Sequence, residues 1–226
     1  MKNYSRYQIA TAIAVLFHLI GIVGIVLIDE DLFVRATSLN LLLMLLLLIY
    51  TQSKINIAFI LFFLLCFLVG FTVEWVGTSR GYLFGNYMYG DVLGLKVSGV
   101  PLIIGVNWFI IIYCCGVTMV AIFNRLTKNL DESRQPKPIM KMASVVSDGA
   151  LLAVFFDWIM EPAAVALGYW SWEGGEIPMF NYICWLVVSA FLLMIFHLCK
   201  FEKKNKFAVN LLLIQLMFFL VLRSIL

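Results

Sequence analysis

Charge is what this 226-residue chain has least of: 13% of its residues are Asp, Glu, Lys or Arg, against roughly a quarter in soluble domains, while 63% are hydrophobic and the mean hydropathy is +1.00. That composition excludes a water-soluble domain. Histidine is nearly absent, and the five cysteines (Cys66, Cys114, Cys115, Cys184, Cys199) lie in or beside apolar runs with no CxxC spacing, so no metal site is expected. His18 and His197 stand alone in apolar segments and read as packed, hydrogen-bonded residues. The net charge of +3 is small and its cations are scattered, which argues against a nucleic-acid partner.

What is there in quantity is apolar sequence. Spanning runs fall near 9–28, 32–50, 55–77, 100–123, 143–167, 181–199 and 207–225. Lys2 and Arg6 precede the first run as they would in a signal peptide, but the run has full spanning length and lacks an A-x-A cleavage site, so it is expected to stay as a helix. The second run is the weakest, because reaching full length requires Arg35. Seven spans of ~20 residues leave only short loops. The expected fold is therefore an all-α polytopic helical bundle, one membrane domain over 1–226, multi-pass in the cell membrane and in contact with lipid.

A cytoplasmic N-terminus puts twelve cations inside: Lys2, Arg6, Lys54, Arg125, Lys128, Arg134, Lys137, Lys141, Lys200, Lys203, Lys204 and Lys206. Four remain outside: Arg35, Arg80, Lys96 and Arg223. That asymmetry fits an odd number of spans. Residues 124–142, with Gln135-Pro136-Lys137-Pro138, read as a flexible cytoplasmic linker between related halves near 55–123 and 143–199. Shifting the sequence by 83 positions lays Glu74-Trp75 on Asp157-Trp158, Gly85 on Gly168, Tyr87 on Trp170 and Tyr89 on Trp172. After a six-residue deletion Pro101 falls on Pro178 and Trp108 on Trp185, so a parallel internal repeat is expected.

Four carboxylates lie within the expected spans: Glu74, Asp148, Asp157 and Glu161. A charged Asp at a helix centre costs roughly 2.5 to 3.5 kcal/mol on insertion scales, so such groups are protonated, paired or turned toward water. Asp157 and Glu161 are four residues apart and share a helix face, whereas Asp148, nine before Asp157, points to the opposite side and reads as interfacial. Glu74 lies at the depth of the Asp157–Glu161 pair, in the outer half, where Asn107, Trp108 and Asn181 also arrive. Pro162 is expected to kink the fifth helix and release a carbonyl. The outer loops supply a rim of Tyr82, Tyr87, Tyr89, Trp170 and Trp172.

Acids and aromatics without a cluster of cations or a thiol suit a carbocation. A buried carboxylic acid can hold a proton at neutral pH, and ring faces stabilise positive charge without attacking it. A purely structural use, with the acids pairing to Asn or backbone and tying helices together, is the alternative at this level.

Two irregular signatures carry a resemblance. The first is Glu74-x2-Gly77-x3-Gly81-x2-Phe84-Gly85-x-Tyr87-x-Tyr89 with Gly99-Val100-Pro101 and Trp108; the second is Asp157-x3-Glu161-Pro162-x5-Gly168-x-Trp170-x-Trp172 with Pro178-x2-Asn181-x3-Trp185. Together they resemble the membrane carotenoid hydratase family, of γ-carotene 1'-hydratase and bisanhydrobacterioruberin hydratase type. The likeness covers about half the chain, from the third to the sixth helix. It departs before Pro178, where Glu176-Ile177 replaces the Gly-Val of the family.

The resemblance implies a cofactor-free hydro-lyase that adds water to the C1,2 double bond of an acyclic carotenoid end group. Its substrates would be lycopene, γ-carotene or a related polyene, plus water, and contact with other carotenoid enzymes is a further expectation. The expected catalytic groups are Asp157, Glu161 and Glu74, with either Asp157 or Glu161 as the acid. The expected substrate-binding residues are Trp75, Tyr87, Tyr89, Asn107, Trp108, Trp158, Trp170, Trp172, Asn181 and Trp185. A membrane lycopene cyclase, which begins with the same protonation, and a proton-coupled transporter remain alternatives. A retinal receptor would need a lysine midway along the last helix, and Lys206 is at its start.

Overall fold

The computed structural model describes residues 5–131 and 135–226; Lys2 and Arg134, two of the cations assigned to the cytoplasmic side, lie outside the described residues. Seven helices are long and apolar enough to cross a bilayer: α1 Arg6–Ile28, α2 Glu30–Thr51, α3 Ile57–Arg80, α4 Ile103–Thr127, α5 Pro138–Ala166, α6 Met179–Leu198 and α7 Lys206–Ile225. The molecule is thus a multi-pass membrane protein with an all-α bundle, as composition required.

Local signals set the helix ends. The Asn56 side chain accepts from Phe59 N at 3.0 Å to open α3, and Asn205 accepts from Phe207 N at 3.1 Å to open α7. Helix α3 closes on Gly81, whose φ of +64° is a left-handed cap. The weak second run does form a helix, in two pieces meeting at Ala36. Within it Arg35 pairs with Asp31 at 2.8 Å, one turn away, so its charge is matched locally.

The expected linker 124–142 is shorter than the sequence suggested. Helix α4 continues to Thr127, and α5 already begins at Pro138, where a residue without N–H fits the first turn. The expectation at Pro162 also changes. Helix α5 runs through it to Ala166, and the carbonyl of Trp158, four residues back, accepts from Arg223 Nη1 of α7 at 3.1 Å. The same guanidinium lies 4.4 Å from the centre of the Trp158 ring. A donor from another helix replaces the one that proline lacks.

Helix α4 is the axis of the bundle. In its most apolar stretch 78% of residues are buried, against 22–44% in the other six, and it packs on α2, α3, α5, α6 and α7. At one end a polar clamp, away from the acids, holds the α6–α7 turn: Tyr113 donates to Gln52 at 2.5 Å, and Gln52 donates to the carbonyl of Glu202 at 2.7 Å.

At the other end the loops form short strands, β1 Tyr87–Tyr89, β2 Lys96–Val97, β3 Val100–Pro101 and β4 Trp170–Trp172. β2 and β3 make a small hairpin. β1 pairs antiparallel with β4, with Tyr87 opposite Trp172, Met88 opposite Ser171 and Tyr89 opposite Trp170. Side chains alternate across a strand, so all four large rings turn inward while Met88 and Ser171 turn out. Gly90 ends the ribbon because the backbones nearly touch: a Cβ there would lie 2.0 Å from the Gly168 carbonyl oxygen. The rings of this ribbon cover the buried acids.

Candidate functional site

Glu74 on α3 and Asp157 and Glu161 on α5 line one small cavity, together with Asn107 and Trp108 of α4 and Asn181 of α6. The three acids are buried, at 6%, 0% and 2% exposure. No lysine, arginine or histidine is among the described residues that line this cavity. Its volume, about 30 Å³, leaves room for a water molecule, which needs at least about 10–15 Å³.

Each acid has its own set of donors. Glu74 accepts from the hydroxyls of Tyr87 and Tyr89, the latter at 2.8 Å, and from Trp108 Nε1 at 2.9 Å. Glu161 accepts at Oε2 from the indoles of Trp170 and Trp172, both at 3.0 Å, and at Oε1 from Asn181 at 3.4 Å. Asp157 accepts from Asn181 at Oδ2, at 2.7 Å, while its Oδ1 is buried with no partner. Asn181 Nδ2 therefore bridges two acids that lie one turn apart on α5.

The ring faces are ordered as well. Trp108 and Trp185 stack with centroids 4.1 Å apart and planes 11° from parallel, and Tyr87 lies 5.0 Å from Trp172 across the ribbon. Burial pushes the phenols of Tyr87 and Tyr89 well up from their ordinary range, and the Glu74 carboxylate raises them further. Both remain hydrogen-bond donors. Tyr169, next to the ribbon, is likewise pushed up to about 12 by burial and shares a 2.7 Å hydroxyl contact with Thr37 of α2.

Most of the residues singled out in the sequence meet here: Glu74, Tyr87, Tyr89, Asn107, Trp108, Asp157, Glu161, Trp170, Trp172, Asn181 and Trp185 all line the cavity. Trp75 and Trp158 do not. They are 44% and 47% exposed and face away, because one residue step turns a helix by 100° and each directly follows an inward acid. Tyr82, expected on the aromatic rim, is also outside, at 68% exposure. Asp148 faces outward as expected, accepting from Ser144 at 2.7 Å.

A larger cavity, about 290 Å³, adjoins the acid cavity, and Ile104, Asn107, Met160 and Trp170 line both. Its remaining wall comes mainly from α1, α2 and α7, with Leu93 and Tyr169 of the loops, and is mostly apolar. Phe17, Ile20 and Leu39 at its edge are exposed, so between α1 and α2 it reaches the lipid-facing surface. This cavity was not anticipated from the sequence. The usable signal was a polar residue inside the apolar stretch of each of three helices, His18, Asn40 and Gln215, which line it together with Thr37. As expected, His18 is packed, with Nδ1 2.7 Å from the Ala14 carbonyl.

No solved structure matches the chain. A curated relative, bisanhydrobacterioruberin hydratase of Haloarcula japonica, is 24% identical over 133 residues, which is 57% of this chain and 41% of that protein. The chain thus spans about two fifths of that relative's length. The family described as carotenoid biosynthesis protein matches residues 35–226, from the end of the first piece of α2 through α7. With the match covering all but the first 34 residues, the chain belongs to the carotenoid biosynthesis protein family.

Proposed function

We propose that this protein is a carotenoid hydratase that adds water across the C1,2 double bond of an acyclic end group. The observation that carries the reading is the meeting of three buried carboxyls with stacked and edge-on rings in a space without a cation. The family match and the name of the Haloarcula relative support it.

Hydrogen bonding distributes the roles. Glu74 and Glu161 receive donors at both oxygens, the pattern of acceptor-only carboxylates. Asp157 keeps Oδ1 free of donors, so that oxygen is the one able to carry and release a proton. The proton passes from Asp157 to C2 of the polyene, leaving the positive charge on the tertiary C1. The faces of Trp108, Trp185 and Tyr87 and the two anionic glutamates lower the energy of that cation. A water in the small cavity forms the new C–O bond at C1 and gives its proton back to the Asp157–Glu161 pair, which Asn181 bridges. The acid is regenerated and the sum is addition of one water.

The larger apolar cavity fits the hydrocarbon that must precede the reacting end. At about 290 Å³ it is at the small end for a ligand site, so it takes an end group while the rest of the polyene lies in the bilayer. We further place the N-terminus on the cytoplasmic side of the cell membrane, which puts the acids in the outer half.

The β1–β4 ladder supports the repeat. Residues that correspond under the 83-position shift exchange partners about the Met88–Ser171 pair, as two copies related by a twofold axis would. Trp108 and Trp185, also counterparts, stack on each other. One substitution of roles departs from the alignment: the aromatic donors that hold Glu74 in the first half have counterparts that hold Glu161, one turn beyond Asp157.

The test is product analysis after expression in a host that makes lycopene or γ-carotene. A product heavier by one water is expected. An isomer of unchanged mass would mean cyclisation and would overturn the proposal.

A further inference from the structure

We propose that Asn107 holds the attacking water at the neck between the two cavities, and so decides whether the cation is hydrated or only gives its proton back. The assignment rests on the hydratase reading above.

Every residue of α4 from Ile103 to Val120 is buried except Asn107. On the axis of the bundle, with buried residues on either side of it, the surface that Asn107 leaves open is that of the cavities it lines. A half-open amide inside an apolar helix is thus turned into the protein and not toward lipid.

The neck itself is narrow in chemistry. Ile104, Asn107, Met160 and Trp170 line both cavities, with Ile104 and Asn107 three residues apart on one face of α4. Ile104 and Met160 are apolar, and the Trp170 indole N–H is already given to Glu161 at 3.0 Å. The Asn107 amide is the polar group left to act there. The hydrogen bonds to the three acids come from two tyrosines, three tryptophans and Asn181, and Asn107 is not among their donors.

Asn107 and Asp157 line the same small cavity, of about 30 Å³, which leaves room for a water that touches both. Once Asp157 has given its proton to C2, the water donates one O–H to the Asn107 amide oxygen and the other to Asp157 Oδ1, the oxygen without a partner. Its lone pair is thereby turned toward C1. As the C–O bond forms, the second proton passes to Asp157, so polyene and water give an alcohol and the acid is restored. Without the held water, the cation returns a proton from C2, or from a methyl group on C1, to Asp157 and a C=C bond re-forms. Asn107 therefore governs the second half of the reaction and leaves the first half intact.

The experiment compares Asn107→Thr with Asn107→Val, two side chains of one shape that differ by the hydroxyl able to hold a water. Full-length protein in nanodiscs is given lycopene in D2O, and mass spectrometry reads the ratio of deuterium-labelled polyene to alcohol, which does not depend on how much protein is active. That ratio is expected to be at least about tenfold higher for Val than for Thr, the equivalent of one net hydrogen bond. Each variant is checked for an unchanged size-exclusion profile, with Asn107→Leu taking the place of Val should that protein aggregate. Equal ratios in the two variants, or loss of labelled polyene together with the alcohol in the apolar one, overturn the assignment. Absence of alcohol with the unaltered protein overturns the hydratase reading, and the assignment with it, so the two failures are told apart.

Discussion

The side-chain amide of Asn181 donates to Asp157 Oδ2 at 2.7 Å and so leaves the other oxygen of that buried acid unpartnered. One helix thereby decides which oxygen of an acid on another helix stays unpaired.

Asp157→Asn removes the proposed proton donor with little change in shape. General-acid catalysis contributes about 10²- to 10⁴-fold, so hydrated product is expected to fall by that factor while the protein remains inserted and monodisperse. Glu161→Gln is expected to act in the same direction. Product formation by both variants at the rate of the unaltered protein, measured by mass spectrometry of extracted carotenoids, would refute the site assignment.

Trp170→Phe and Trp172→Phe each remove an indole donor from Glu161. A hydrogen bond to a charged group contributes about 1.5 to 3 kcal/mol, so each variant should unfold at lower temperature. In a Glu161→Leu background the same substitutions should cost less, since the acceptor is gone. Equal costs in both backgrounds would show that the indoles act by packing alone.

Pro162 and Arg223 form a second pair that a double-mutant cycle can test. Arg223→Met leaves the Trp158 carbonyl without its donor and should destabilise by about 1 kcal/mol. Pro162→Ala restores an N–H to the helix, so in that background Arg223→Met should matter less. Thermal unfolding of the four proteins gives the coupling directly.

Gly90→Ala drives a methyl group against the Gly168 carbonyl and should open the β1–β4 ribbon, lowering both thermal stability and activity. Gly99→Ala is the control. Its φ of +85° carries a backbone penalty of about 1 to 2 kcal/mol, but nothing lies within 4 Å of the added carbon, so the ribbon should persist. Loss of activity in Gly99→Ala equal to that in Gly90→Ala would separate activity from the ribbon.

The phenols of Tyr87 and Tyr89 are held above their ordinary value of 10, so in the folded protein they keep protons that the unfolded chain releases. Their contribution to stability is complete below pH 10 and is lost as pH rises above it. Unfolding measured across that range should show a falling stability that is shallower in the Tyr87→Phe, Tyr89→Phe double variant. Identical slopes would mean that neither phenol is linked to folding.

Composition and the lengths of the apolar runs determined that this chain is a seven-helix membrane bundle, because a bilayer admits few other arrangements for such runs. Spacing placed Asp157 and Glu161 on one face, and the cost of charge in lipid made each acid within a span informative. What a linear pattern cannot carry is orientation and partnership between distant segments. Trp75 and Trp158 sit beside acids in the sequence yet face outward, since a single step rotates a side chain away from its neighbour. The antiparallel register of β1 and β4, the donor that Arg223 lends to α5 and the apolar cavity walled by α1, α2 and α7 all depend on residues tens to hundreds of positions apart. Only the packing of the helices brings them together, and in an apolar sequence nearly uniform on every face, hydrophobicity itself does not say which faces will meet.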